Sequence, residues 1–153
     1  MIPIRNSAKA IIIQDGCLLV IRNKDKDGDW YILPGGGQNH GEILIDALKR
    51  ECREEIGVSV QVGDLKLIRE YIGRNHEFAQ EDGDAHQVEM MFECRIEASA
   101  IPKIGHTPDT YQTGVEWLPL TELENYRLYP KVLCTILKNG LKDKRAVYLG
   151  DVN

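Results

Sequence analysis

The chain has 153 residues, enough for one core, and we expect a single domain over residues 1–153. Its formal net charge of −5 argues against a nucleic-acid polymer as partner, because a phosphate backbone selects a basic surface. Four scattered cysteines without a CxxC pair favour reduced thiols in a cytoplasmic protein over a zinc site. No apolar run is long enough to cross a membrane.

The first predicted elements are strands over residues 8–14 and 17–22, joined by a two-residue hairpin turn at Asp15-Gly16. Both strands are almost continuously apolar, which predicts cover on both faces of the sheet. A third short strand covers residues 30–33, and Pro34 ends it. Residues 35–37 are all glycine, which is typical of a turn and also permits close approach of a phosphate or a metal.

A helix follows over residues 42–56, with Gly57 as its C-terminal cap. One side of this helix has the spacing of a buried stripe, formed by Leu44, Ala47, Leu48, Glu51 and Glu55. The predicted solvent face carries Asp46, Lys49, Arg50 and Arg53. The stripe therefore becomes acidic without changing face.

Two interpretations of these glutamates are open. A solvated charge run is the common one, but such a run lies opposite the apolar stripe, whereas these side chains continue it. Clustered and partly buried carboxylates repel one another unless a cation compensates them. Oxygen ligands of this kind suit a hard divalent ion such as Mg²⁺ or Mn²⁺.

The same residues resemble the Nudix box. Gly36 is followed after five residues by Glu42 and, after seven more, by residues 50–58, which read RECREEIGV. Every fixed polar and glycine position of the box is present, and the one soft departure is Cys52, a small hydrophobe where the family has a larger aliphatic residue. The flanking residues 33–36 and 116–120 are also similar to the family.

The resemblance implies the Nudix fold, an α/β/α sandwich with a mixed β-sheet, and metal-dependent hydrolysis of a nucleoside diphosphate linked to another group. It makes the Gly36 carbonyl and the carboxylates of Glu51, Glu54 and Glu55 the ligands of Mg²⁺ or Mn²⁺. Arg50 is then the residue that orients a carboxylate, so the expected catalytic residues are Arg50, Glu51 and Glu54. Glu42 either helps to hold Arg50 or complements the helix dipole, and the two roles are compatible.

The general base is left open at this point. Glu51 is one candidate, and family members also recruit a base from a loop, for which this chain offers Glu77, Glu81 and Asp109.

Beyond the box, alternation predicts a half-buried strand over residues 58–62, a break at Gly63-Asp64, and an extended segment over 65–72 with a bulge near 67–68. Residues 88–96 alternate most clearly and predict a strand with one exposed face. A connection over 98–112 leads to a strand over 115–118. Two short helices are expected over 119–124 and 130–139, and the tail to Asn153 carries little signal.

The polar segment 73–87 is either an ordinary surface loop or a lid that faces the substrate, and its length favours a lid. Aromatic and histidine side chains before and within it are the candidate substrate-binding residues. They are Trp30, Tyr71, His76 and Phe78.

The substrate class follows only by elimination. The residues that mark family members acting on dinucleoside polyphosphates, on ADP-ribose or on coenzyme A do not match here, which leaves a nucleoside triphosphate, modified or not. The expected partner is thus a small nucleotide, with no membrane partner and with homodimer formation left open. The alternative function is a catalytically silent nucleotide sensor, which the complete set of box carboxylates disfavours.

Overall fold

The structure is a computed structural model that describes residues 1–138, 140–141 and 147–153. Its strands are β1 (Arg5–Gln14), β2 (Cys17–Asp25), β3 (Gly28–Ile32), β4 (Gly35–Gly37), β5 (Gln61–Ile72), β6 (His86–Arg95), β7 (Gln112–Pro119), β8 (Leu128–Tyr129) and β9 (Tyr148–Asp151). Its helices are α1 (Leu44–Ile56), α2 (Ala79–Asp82) and α3 (Val132–Leu137). Two 3₁₀ segments cover Gly73–Asn75 and Leu120–Asn125.

The strands form a mixed sheet in the order β8-β3-β2-β1-β6-β5-β9, with β4 paired to β1 and β7 paired to β2. The central pair β1–β6 is parallel, whereas β1–β2, β1–β4 and β5–β6 are antiparallel. β1 pairs with β2 only at Ile13 and Gln14, and with β6 along Arg5 to Ile12. The sheet therefore diverges around β1, and β4 lies beside β1 near this divergence.

A hydrophobic core covers each face of the sheet. Helix α1 packs on one face, where Ala8, Ala10, Ile12, Leu48, Cys52 and Ile56 are buried together. Helix α3 packs on the other face, where Ile11, Met91, Leu67, Leu133 and Leu137 are buried together. This arrangement confirms the predicted α/β/α sandwich with a mixed sheet.

The hairpin at Asp15-Gly16 is also confirmed. Both residues have positive φ angles, 51° and 74°, which a two-residue hairpin turn between right-twisted strands requires. The predicted bulge in β5 lies slightly earlier than expected, because the register with β6 shifts between Val62 and Leu65 and again before Leu67.

Several predicted boundaries were wrong. Helix α1 begins at Leu44 rather than at residue 42, because Glu42 lies in the turn that precedes the helix. The break at Gly63-Asp64 is only an irregularity within one long strand, β5, which starts at Gln61 and leaves residues 58–60 outside it. The C-terminal tail is not featureless, since Tyr148–Asp151 adds a parallel strand beside β5.

The strand over residues 88–96 is not one-sided. Its expected solvent face carries Glu89 and Met91, which are 6% and 0% exposed, because β6 lies in the centre of the sheet. The predicted second C-terminal helix is present as α3 over Val132–Leu137, and its expected end at Asn139 lies outside the described residues.

No helix within the described ranges is long and apolar enough to span a membrane.

Candidate functional site

Helix α1 sets the position of the box carboxylates. It buries Ala47, Leu48, Cys52 and Ile56 against the sheet, and Gly57 ends it in the left-handed conformation with φ 67°. Glu55 lies on the same buried side and is only 3% exposed, while the Glu51 side chain is 15% exposed. The acidic part of the stripe is therefore largely withdrawn from solvent, as its phase on the helix predicted.

The glycine strand β4 brings the main chain against these carboxylates. A Cβ atom on Gly36 would lie 2.6–2.8 Å from the carboxyl atoms of Glu51, so only glycine leaves that carboxylate its present place. The Gly35 N–H donates a hydrogen bond to Glu55 Oε2 at 2.9 Å. The three glycines are thus not a free turn but a short strand in contact with the box.

Arg50 forms hydrogen bonds to several groups of the site. Its Nε and Nη2 atoms donate to the two carboxylate oxygens of Glu42, both at 2.9 Å, and Nη2 also donates to the Gly37 carbonyl at 2.9 Å. Its Nη1 atom lies 2.8 Å from Glu51 Oε1 and 3.4 Å from Glu54 Oε2. The expectation that Arg50 lies on the solvent face was wrong, because four acceptors draw its guanidinium onto the box.

The fork of hydrogen bonds from Arg50, with the Asn39 N–H, holds the pKa of Glu42 at about 2. Glu42 therefore contacts Arg50 in the way the resemblance implied. Its carboxylate also accepts a hydrogen bond from a backbone N–H in the turn before α1. The contact with Arg50 is thus present, and the expected role toward the helix dipole stays a prediction.

Glu55 is electrostatically unusual. Burial and, to a smaller extent, the Asp109 carboxyl raise the pKa of its carboxyl to about 8, although Lys9 and the Gly35 N–H oppose the shift. Asp109 is the one loop candidate for the base whose interaction with a box carboxylate is evident. Glu77 is instead paired with Lys131 at 2.9 Å, and Glu81 is exposed on α2.

The loop before β7 carries Asp109 to the box by docking on the C-terminal end of α1. The N–H groups of Lys103, Gly105 and Thr107 donate to the free carbonyls of Ile56, Glu55 and Glu54. Gln112 Nε2 donates to the Glu55 carbonyl at 2.8 Å, and the Gln112 N–H donates to the Asp109 carbonyl. No local sequence pattern predicts that this loop packs on the end of α1.

Among the residues that the structure describes, no three His, Cys, Asp or Glu side chains converge on a preformed metal-holding group. Arg50 engages Glu51 and Glu54, and Glu55 turns to the Gly35 N–H. The donor set nevertheless fits a hard divalent cation, because all its donors are carboxylate or carbonyl oxygens; Arg50 acts on Glu51, and Lys9 acts on Glu55.

The four candidate substrate residues fall into two clusters. Trp30 and Phe78 both pack edge-on against Tyr129, with ring centroids at 6.3 and 5.6 Å, and the Trp30 indole N–H is buried without a hydrogen-bond partner among the described residues. Tyr71 and His76 instead stack on each other at 5.4 Å.

The second cluster ties the loop to the sheet. The Tyr71 hydroxyl donates to Asp82 at 3.0 Å, and His76 Nε2 lies 2.6 Å from Asp151 of β9. Through these two contacts, Tyr71 and His76 fix the segment 73–85 to the sheet. The first cluster places the predicted lid against β8.

Sequence reasoning missed Tyr129 and Lys9. Tyr129 lies in a two-residue strand that has no periodicity of its own. Lys9 interrupts an apolar strand, and its Nζ donates to the Gly35 carbonyl at 2.9 Å. A signal for Lys9 was present, since Arg5, Ser7 and Lys9 alternate on one face of β1.

A sequence profile described as NUDIX domain matches residues 3–135, which is most of the chain. The chain belongs to the NUDIX domain family.

Individual relatives are more distant. Nucleoside triphosphatase NudI from Salmonella arizonae is 38% identical over 58 residues, which cover 36% of this chain and 41% of that protein. The chain thus aligns with about two fifths of the length of this curated relative.

Solved structures share the fold at low identity. A NUDIX hydrolase from Nitrosomonas europaea has a TM-score of 0.69 at 18% identity, covering 97% of this chain and 78% of that one. An ADP-ribose pyrophosphatase from Streptococcus suis has a TM-score of 0.64 at 17% identity, covering 97% and 100% of the two chains. Both likenesses establish the NUDIX architecture of this chain.

Proposed function

We propose that the protein is a metal-dependent Nudix hydrolase that cleaves a diphosphate bond in a nucleoside triphosphate. The observation that carries this proposal is the position of the box carboxylates: Glu51 and Glu55 lie against the glycine strand, and Arg50 is fixed between Glu42 and both Glu51 and Glu54. Partly buried carboxylates close to one another destabilise a protein, and a bound cation removes that cost.

In this proposal the Gly36 carbonyl and the carboxylates of Glu51, Glu54 and Glu55 hold Mg²⁺ or Mn²⁺. When bound, the ion supplies an activated water and neutralises the charge that develops on the phosphate oxygens. Arg50 holds Glu51 and Glu54 in place and is itself fixed by Glu42, which leaves it no donor directed at a substrate.

For the proton of the attacking water, Asp109 is the preferred acceptor. It is the loop carboxylate whose interaction with Glu55 raises the pKa of the latter, and the docked loop fixes its backbone. Glu51 stays a second candidate, but its Oε1 atom is occupied by the Arg50 guanidinium. The contacts of Glu77 and Glu81 give no support to either as a base.

The choice of a nucleoside triphosphate rests on two arguments. The markers of other substrate classes are absent from the sequence, and the 58-residue match to a protein named nucleoside triphosphatase points the same way. The aromatic cluster of Trp30, Phe78 and Tyr129 offers stacking surfaces for a base, closed by the segment 73–85.

The proposal is tested by a screen of nucleoside triphosphates and nucleotide sugars, measuring release of phosphate and pyrophosphate with Mg²⁺, with Mn²⁺ and with chelator. We expect metal-dependent hydrolysis in which triphosphates are preferred, and its loss in chelator. Activity that persists in chelator would reject the metal, and preference for a nucleotide sugar would reject the substrate class. Binding of nucleotides without hydrolysis would support a sensor instead.

A further inference from the structure

One face of β1 carries two cations and a hydroxyl beside the box. Arg5, Ser7 and Lys9 share this face because side chains alternate along a strand. On the edge of β1 next to the box, Ser7 pairs with Gly37 and Lys9 pairs with Gly35. Since β4 consists only of glycine, it has no side chains of its own, and side chains of neighbouring elements lie directly against its backbone.

The charged groups of Arg5 and Lys9 both lie against the glycine strand β4. The Arg5 guanidinium fills the place that a side chain on Gly37 would take, with Nη2 2.6 Å from the ideal Cβ position. Lys9 Nζ donates to the Gly35 carbonyl. Within the described ranges neither cation has a carboxylate within ion-pair distance, in contrast to Arg50 in the box.

Ser7, between the two cations, is 1% exposed, and its hydroxyl has no hydrogen-bond partner among the described residues. A buried hydroxyl without a partner destabilises the protein unless a ligand completes it. Glu89, which pairs with Ser7 on β6, is bound by Arg69 Nε at 2.6 Å. Arg69 is thus the ion-pair partner of Glu89, while Arg5 and Lys9 act on Glu89, and Lys9 on Glu55, only from beyond ion-pair distance.

One end of this face, at Arg5, borders a cavity beside the box, whereas Ser7 and Lys9 do not line that cavity. Arg5 is exposed and borders an open cavity of about 700 Å³, which is also lined by Asn6, Gln38, Glu42, His86 and Gln87. That volume lies within the range of roughly 300–1,000 Å³ for small-molecule sites. Glu42 connects the cavity wall to Arg50.

We propose that Arg5, Ser7 and Lys9 bind the phosphate chain of the substrate along the glycine strand. Guanidinium, ammonium and hydroxyl groups are the side chains that bind phosphate oxygens, and the three residues share one face of β1. This inference rests on the proposed function and deepens it, since it names the residues that favour a polyphosphate over a neutral group.

The test uses inorganic tripolyphosphate as the probe, titrated calorimetrically in chelator at low ionic strength, so that no step depends on hydrolysis. We expect Arg5→Gln and Lys9→Gln each to weaken binding at least about tenfold, because each removes one charge-assisted contact. Arg95→Gln and Lys66→Gln are matched controls that change the net charge equally on the same sheet, and they should stay within about twofold of wild type.

Ser7→Ala separates a binding role from a structural one. If the Ser7 hydroxyl binds a phosphate oxygen, its removal weakens tripolyphosphate binding about threefold, while the Tm of the free protein stays equal or rises. A lowered Tm with unchanged binding would contradict the assigned role of Ser7.

Two results keep this inference apart from the proposed function. Metal-dependent nucleotide hydrolysis by a protein whose tripolyphosphate binding is equal in all variants would overturn the inference and leave the proposed function standing. The expected loss of binding in Arg5→Gln and Lys9→Gln, in a protein that hydrolyses no nucleotide, would support the phosphate site and reject the hydrolase.

Discussion

At the scale of single residues, a side chain added at Gly35 and one added at Gly36 would meet different groups. A Cβ on Gly36 would meet the carboxyl end of the Glu51 side chain, which can move. A Cβ on Gly35 would meet the backbone of Ala8 and Lys9, and Gly35 has φ 129°, which L residues rarely adopt. The same chemical change therefore acts on the site at one position and on the fold at the other.

We expect Gly36→Ala to lower turnover by about 10²-fold, because it displaces Glu51, with Tm changed by less than roughly 3 °C. Gly35→Ala should instead lose about 2 kcal/mol or more of stability, a fall in Tm of roughly 4–8 °C. Thermal melts and nucleotide hydrolysis rates of both variants check this. A Gly36→Ala protein with normal turnover would show that the position of Glu51 is unimportant.

Glu55 lends itself to a second residue-scale prediction, because it is buried and faces Asp109. Glutamine keeps an acceptor for the Gly35 N–H and cannot ionise, so it avoids the loss of stability that a carboxyl with a folded-state pKa raised above 4.5 causes at neutral pH. In chelator we expect Glu55→Gln to gain about 1 kcal/mol, which raises the Tm by roughly 2–4 °C. Added Mg²⁺ should stabilise wild type more than the variant, since binding to the native state stabilises by mass action.

Melting curves of both proteins, in chelator and in Mg²⁺, measure the two effects. A lower Tm for Glu55→Gln in chelator, or an equal gain from Mg²⁺ in both proteins, would contradict the assignment of Glu55.

Much at this scale was predictable. The phase of Glu51 and Glu55 on the helix predicted their withdrawal from solvent, because a 3.6-residue period fixes which side chains share a face. The position of Arg50 was not predictable from phase, since its long side chain bends from the helix flank to acceptors on the box. The roles of all these residues stay predictions.

At the scale of elements, the last strand is anchored by one carboxylate. Asp151 of β9 accepts hydrogen bonds from the Ile72 N–H and from Asn75 Nδ2, and it lies 2.6 Å from His76. Although burial opposes it, these bonds to Asn75, His76 and Ile72 hold the pKa of Asp151 at about 2. The folded-state pKa lies below the ordinary value of 3.8, so Asp151 stabilises the protein above pH 4 and loses this effect as the pH falls toward 2.

Asp151→Asn should therefore lose about 1–2 kcal/mol at pH 7, a fall in Tm of roughly 2–8 °C. The difference between the two proteins should shrink as the pH is lowered from 4 toward 2, because wild type is then protonated as well. Urea unfolding at pH 7, 4 and 3 measures it. A difference that stays constant over this range would show that the carboxylate charge is not what anchors β9.

The elements also show where sequence reasoning fails. The long strands β1 and β2 were predictable because each contains an apolar run beside a hairpin turn, and helix α1 was predictable because it carries a sustained period. Strands β4, β8 and β9 have two to four residues, too few for any period, and they form only because a neighbouring strand offers its free edge. For β4 the three glycines indicated a turn, whereas pairing with β1 extends them.

At the scale of the whole molecule, the mixed sheet was predictable mainly from the resemblance to the box, since order and direction of strands depend on contacts distant in sequence. The same holds for the site. Asp109 reaches Glu55 because a loop that follows β6 caps the free carbonyls of α1. Such contacts between distant segments have no local sequence signal.

The central claim is that the box carboxylates hold a divalent ion that drives nucleotide hydrolysis. The most direct measurement compares turnover of a nucleoside triphosphate by wild type, Glu54→Gln and the control Glu97→Gln, an exposed glutamate outside the box, with Mg²⁺ and with chelator. We predict that Glu54→Gln lowers turnover by at least about 100-fold with an unchanged circular dichroism spectrum, that Glu97→Gln has no effect, and that chelator abolishes all activity. Near-normal turnover of Glu54→Gln in Mg²⁺ would contradict the claim.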